Sequence, residues 1–311
     1  MFEKVLGQER IKKIISNQIR NNKVSYAYMF SGIDGIGKNF VATEFAKIMN
    51  CDTINFNKIN HSVCDGCISC EKITKNIHPD VHFINFKKQQ NIFEQKKIKK
   101  QKLQKIEIIV DKTKKKILTK AYEGKWKFFI IDCTEKSNIM TLGLFAKILE
   151  DKVENTIIIF IVNNIYAVPR AIISRLQVMF FKSLSTDDIS NWLASNYLLS
   201  SSKIKNIAFL SDGSIGYAKK YVDKKNEDDI FFSWNKFMSG SLSISDALYL
   251  SKNISINDSA LKCVDVMIRE AKEKFILLPE TSIIIKLLID YRVLLSTNTC
   301  HRIILDNLFI D

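Results

Sequence analysis

The sequence predicts an α/β protein, a nucleotide-binding domain on a mostly parallel sheet with an inserted cysteine knuckle, followed by helices alone. Three observations predict it. Residues 26–30, 128–132 and 157–162 are short, almost wholly apolar runs of strand length, the pattern of strands buried on both faces of a parallel sheet. The first run feeds Gly32-Ile33-Asp34-Gly35-Ile36-Gly37-Lys38, and helical periodicity resumes over residues 40–49. Strand, glycine-rich turn and helix are the context a phosphate loop requires. After Phe181 the strand signals fade, and apolar stripes at helical spacing take over.

The elements follow in order. Val5, Ile11, Ile14, Ile15 and Ile19 predict an amphipathic helix over residues 3–22. A helix over residues 139–150 lies between the second and third apolar runs, which makes a right-handed crossover between parallel strands natural. Ser185-Thr186-Asp187-Asp188 is a helix N-cap with an acidic first turn. Helical stripes recur at 244–250, 261–268 and 283–295. These signals divide the chain into a sheet domain over 1–183, a small helical domain over 184–225 and an all-α domain over 226–311.

Composition narrows the class. The 311 residues are 46% hydrophobic, enough chain for a substantial core. No apolar run has signal-peptide length at the N-terminus, and none reaches a membrane span, so a cytoplasmic location is expected. In a reducing compartment clustered cysteines point to metal rather than disulfides. The formal net charge of +14 is uneven: residues 87–120 hold 13 lysines against three acids, a net +10, which leaves +4 for the other 277 residues. That stretch reads as a partly helical or disordered solvated insertion, with direct DNA contact as the alternative.

Cys51, Cys64, Cys67 and Cys70 have the spacing C-x12-C-x2-C-x2-C. Four thiolates suit a closed tetrahedral Zn(II) site, structural rather than catalytic; free thiols or another metal are the other readings. Cys133, Cys263 and Cys300 are isolated and read as small buried residues. In the phosphate loop Gly32, Gly35, Gly37 and Lys38 are in place, but Asn39 stands where a hydroxyl would hold magnesium. Asp132 ends the second strand where a magnesium-orienting carboxylate belongs, and Cys133 follows where an acid would polarise water. ATP hydrolysis is therefore not expected, and nucleotide binding at Lys38 stays open. Arg175, in Ser174-Arg175-Leu176, reads from the residues alone as a surface arginine paired with an acid.

Taken together, these segments resemble a known family. Val5-Leu6-Gly7-Gln8-Glu9, Ala27-Tyr28-Met29-Phe30-Ser31-Gly32 and Gly35-Ile36-Gly37-Lys38 resemble the AAA+ subunits of the bacterial DNA polymerase III clamp loader. The cysteine knuckle followed by His78-Pro79-Asp80-Val81, then Tyr122-Glu123-Gly124-Lys125-Trp126-Lys127, Lys147-Ile148-Leu149-Glu150-Asp151 and Ser174-Arg175, match its blocks in order over residues 2–220. Leu176 replaces a cysteine of the family pattern, Lys152-Val153 replaces a proline pair, and the lysine-rich insertion has no counterpart.

The resemblance implies an AAA+ domain with a zinc knuckle, a small helical lid and an all-α collar for oligomerisation. It further implies membership of a heteropentamer with gamma/tau motor subunits and delta, which loads the sliding clamp on primed DNA. The motor class keeps a hydroxyl after the loop lysine, a glutamate after the strand aspartate, and an arginine shortly after Gly-Ser in the lid. This chain has Asn39, Cys133 and Gly213-Ser214-Ile215-Gly216, yet keeps Arg175. That pattern resembles the non-hydrolysing stator class, with Arg175 an arginine finger acting in trans on a neighbour's nucleotide. The alternatives are an ATP-hydrolysing motor subunit, or a nucleic-acid-binding module built on the knuckle and the lysines.

Overall fold

The three apolar runs form the middle of one sheet. The computed structural model describes residues 1–53, 66–85, 102–133, 140–150, 152–223, 286, 289 and 290. The chain separates into two compact units, Met1–Leu184 and Ser185–Asp311. In the first, β1 (Ala27–Ser31), β2 (Val81–Asn85), β3 (Lys127–Asp132), β4 (Thr156–Val162) and β5 (Gln177–Phe180) form a sheet of order β2-β3-β4-β1-β5. Every pairing is parallel, with Met29 opposite Phe160 and Phe129 opposite Ile158.

Alternate side chains of each strand enter separate cores. Tyr28, Phe30, Phe128, Ile130, Ile159 and Ile161 pack with α1 (Glu9–Arg20) and α2 (Lys38–Asn50) through Ile11, Ile15, Phe45 and Ile48. Met29, Phe129, Ile131, Ile158 and Phe160 pack against α4 (Lys102–Leu118), α5 (Ala146–Glu150) and α6 (Arg170–Ile173), and α3 (Ile68–Thr74) joins the first core. Both faces are covered, as a parallel sheet requires.

Several segments differ from the sequence reading. The edge strands are not picked out by sequence: β2 breaks its apolar residues with His82 and Asn85, and β5 has only the short run Val178-Met179-Phe180, with Phe180 exposed. Helix α1 starts at Glu9 rather than residue 3, since Gly7 and Gln8 hold left-handed backbone that interrupts a helix. The helix expected over 139–150 is two pieces, a 3₁₀ segment Met140–Phe145 and then α5.

The second half of the lysine-rich stretch is α4, a layer of the domain rather than a solvated appendage. Ile109, Val110, Thr113 and Ile117 are buried beneath its lysines. Its C-terminal carbonyls are capped by Lys127, whose buried Nζ donates to the carbonyls of Lys116, Ile117 and Thr119. The first half, residues 87–101, lies outside the described residues.

The second unit opens with α7 (Thr186–Asn196), α8 (Ser201–Leu210) and α9 (Ile215–Asp223). Ser185 caps α7 by accepting from the Asp188 amide at 3.0 Å, as its sequence predicts. Among the described residues of this unit, Ile189, Leu193, Ile207, Ala208 and Ala218 are buried apolar side chains. The region expected to form the all-α collar lies outside the described residues apart from three positions. Among the described residues no helix is long and apolar enough to cross a membrane.

Candidate nucleotide site, metal cluster and surface arginine

The glycine loop leaves the C-terminal end of β1, between β4 and β5, and runs into the N-terminus of α2. Carboxyl ends of strands in an open α/β sheet are where ligands bind. Gly37 has φ 101°, a conformation that L side chains resist. Gly32 is fixed by proximity: a Cβ there would lie 2.8 Å from Cβ of Phe181. The loop leads into the helix N-terminus, where first-turn amides and the helix dipole favour an anion.

Lys38 is 4% exposed. Its ammonium donates to the Gly32 carbonyl, to the Ile33 carbonyl at 2.8 Å and to Oδ1 of Asn163 at 3.0 Å. Asn163 follows β4 directly, and β4 pairs with β1, so adjacent strand ends bring the amide to the lysine. Sequence reasoning did not select Asn163; its only signal was a polar residue straight after an apolar strand. Asn39 sits exposed in the first turn of α2, its carbonyl accepting from the Thr43 hydroxyl at 2.9 Å.

At the end of β3 the Asp132 carboxylate accepts from the Asn85 amide at 3.1 Å, across the β2–β3 register. Cys133 is completely buried, and its amide donates to the Ile161 carbonyl at 2.8 Å. Burial, with Asp132 adjacent, pushes its thiol well above the usual range. A neutral buried thiol cannot polarise a water for attack on a phosphate.

Arg175 lies in the turn between α6 and β5. One guanidinium nitrogen donates to the Ala171 carbonyl, and another to Oε1 of Glu150 at 2.7 Å, the C-terminal residue of α5. The surface-pair reading therefore describes its partner in this chain. Nothing in the spacing of 25 residues points to Glu150.

Three of the four cysteines come together. Cys51 ends α2, Cys67 caps α3 and Cys70 lies in that helix's first turn. Their sulfurs all lie within 4.8 Å of one another, and those of Cys51 and Cys67 are 3.9 Å apart. Tetrahedral thiolates at a Zn–S distance near 2.3 Å stand about 3.8 Å apart, so the spacing fits a metal ion. Burial, then the neighbouring sulfurs, push the Cys70 thiol far up, and a cation among them would reverse that. Cys64 lies outside the described residues.

Beside this cluster a polar network ties α3 to the sheet. Asp80 is fully buried, its carboxylate accepting from the amides of Tyr122, Glu123 and Gly124 at 2.7–2.8 Å. His78 accepts from the Asp80 amide at Nδ1, 3.1 Å, and its Nε2 lies 3.3 Å from the Ser69 hydroxyl of α3. Asn50 bridges to both backbone groups of Trp126, at 2.8 and 3.0 Å.

These features define a parallel-sheet α/β domain with a phosphate-loop-like glycine turn and a cluster of three thiols. The family model described as DNA polymerase III, delta subunit, matches residues 7–185, and the chain belongs to this clamp-loader family. Among its relatives, the gamma/tau subunit of DNA polymerase III from Mycoplasma genitalium is 30% identical over 230 residues, covering 72% of this chain and 35% of that protein. The tau subunit from Bacillus subtilis is 29% identical over 259 residues, covering 82% and 41%. The delta' subunit from Bacillus subtilis is 26% identical over 186 residues, covering 60% and 51%. The chain thus spans about a third to a half of the length of these relatives.

Proposed function

We propose that this chain is a delta-prime-type stator of the replicative clamp loader: a subunit that hydrolyses no ATP itself and supplies Arg175 to the nucleotide of a neighbouring motor subunit. The observation that carries this reading is an asymmetry within one domain. The chain's own loop has Asn39 at the metal position and a buried neutral thiol, Cys133, at the water-polarising position. Arg175 is kept at the surface, its side chain 35% exposed. A guanidinium placed against a gamma-phosphate stabilises the charge that develops during transfer. In this reading α7–α9 serve as the lid, residues 226–311 as the collar, and Cys51, Cys64, Cys67 and Cys70 hold a structural Zn(II). The complex, with gamma/tau and delta, opens the sliding clamp and seats it on primed DNA.

The motor reading has its own support, since relatives at 30% and 29% identity carry the names gamma/tau and tau. One reconstitution separates the two. With motor and delta subunits present, Arg175→Ala is expected to lower clamp- and DNA-stimulated ATPase by about 10³-fold or more. The pure chain is expected to show no turnover, and Lys38→Ala to leave the assembled rate within about twofold. Unchanged ATPase in the Arg175→Ala complex sinks the stator reading. Turnover by the pure chain that disappears with Lys38→Ala establishes the motor reading instead.

A further inference from the structure

We infer that Glu150 is a positioning residue for Arg175, holding the guanidinium from behind so that its remaining N–H groups face outward toward a phosphate on another subunit. This inference rests on the stator reading and adds a residue to it. The guanidinium has five N–H groups. In this chain one goes to the Ala171 carbonyl and one to Oε1 of Glu150 at 2.7 Å, both anchors within the same subunit. Two contacts on different nitrogens fix the plane of the fork as well as its place, which a single contact would not do.

The anchors are themselves held. Ile148 and Leu149, just before Glu150, and Ile172 and Leu176, flanking Arg175, are buried in one hydrophobic cluster. The turn between them is closed by the Arg175 amide on the Ile172 carbonyl and the Leu176 amide on the Ile173 carbonyl, both at 3.1 Å. The Ser174 hydroxyl donates to the same Ala171 carbonyl at 3.0 Å. Both side chains therefore project from one packed platform. Their carboxylate and guanidinium are about half and one-third exposed, at 54% and 35%. An ion pair this exposed contributes little to stability. Its consequence is orientation: a long, flexible side chain waits in one arrangement instead of many, so less freedom is lost when the phosphate arrives.

The test uses the reconstituted clamp loader with four versions of this chain: Arg175→Ala, Glu150→Ala, Glu150→Gln and the Glu150→Ala/Arg175→Ala double variant. Glu150→Ala is expected to lower kcat for ATP about tenfold while KM for ATP changes less than twofold, because orientation rather than ground-state binding is lost. Glu150→Gln, which keeps an acceptor oxygen at the same reach, should recover part of that loss. The double variant should be no slower than Arg175→Ala alone, the signature of two residues acting through one group. A Glu150→Ala complex as fast as wild type, or faster, overturns the inference, as does a further fall in the double variant. If Arg175→Ala itself is silent, the stator reading has failed, and that result is distinct from a silent Glu150→Ala beside a slow Arg175→Ala.

Discussion

Asp80 and His82 are two residues apart, and their ionisation affects the domain in the same direction. Burial alone would raise the Asp80 carboxyl, but the amides of Gly124, Glu123 and Tyr122 outweigh it and hold the group below the usual carboxylate range. Asp80→Ala would remove the shared acceptor of three part-buried amides and is expected to cost about 1–3 kcal/mol, read as a fall in the urea midpoint. Asp80→Asn, which keeps one acceptor oxygen, should cost less. His82 stacks on Phe129 with ring centroids 4.9 Å apart. Burial first, then Lys116 and Lys127, lower it to about 4, against a smaller upward pull from Asp80. The unfolded histidine, near 6.5, therefore binds its proton more readily than the folded one. Its contribution to stability is complete above about pH 6.5 and is lost as pH falls toward 4. His82→Phe keeps the ring contact and removes the proton, so stability measured between pH 6.5 and 4 should fall less steeply than in the parent.

At the scale of elements, α3 depends on what gathers its cysteines. It has seven residues, too few to be stable as an isolated helix, and both Cys67 and Cys70 belong to its N-terminal turn. A metal joining them to Cys51 would staple α3 to the end of α2. We expect the purified chain to carry about one equivalent of zinc, and Cys67→Ala to lose it. Chelation should speed amide exchange in residues 66–75 while the β1, β3 and β4 amides stay protected. Unchanged metal content in Cys67→Ala would remove the cluster from consideration as a zinc site. The edge strands show why some elements were illegible. Strands β1, β3 and β4 are buried on both faces and spell it out in apolar runs, whereas β2 is broken by polar residues and β5 offers a run of only three. Helix α4 was obscured by charge: its lysines dominate the composition, while four buried positions, Ile109, Val110, Thr113 and Ile117, fix it to the sheet.

For the whole molecule, local chemistry was readable and long-range partnership was not. The sequence by itself determined the glycine loop, the cysteine spacing, the central strands and the residues Asn39 and Cys133 at their positions, because each is set by residues close together in the chain. Only the tertiary structure decided which groups share a site. Lys38 meets Asn163 across 125 positions, Asp80 meets Tyr122 across 42, and Arg175 meets Glu150 across 25. Those pairings arise from strand order, which places β4 beside β1, and from one apolar cluster that sets α5 beside α6. A sequence records the side chains that can ionise or hydrogen-bond; packing of the sheet and its helices chooses their partners.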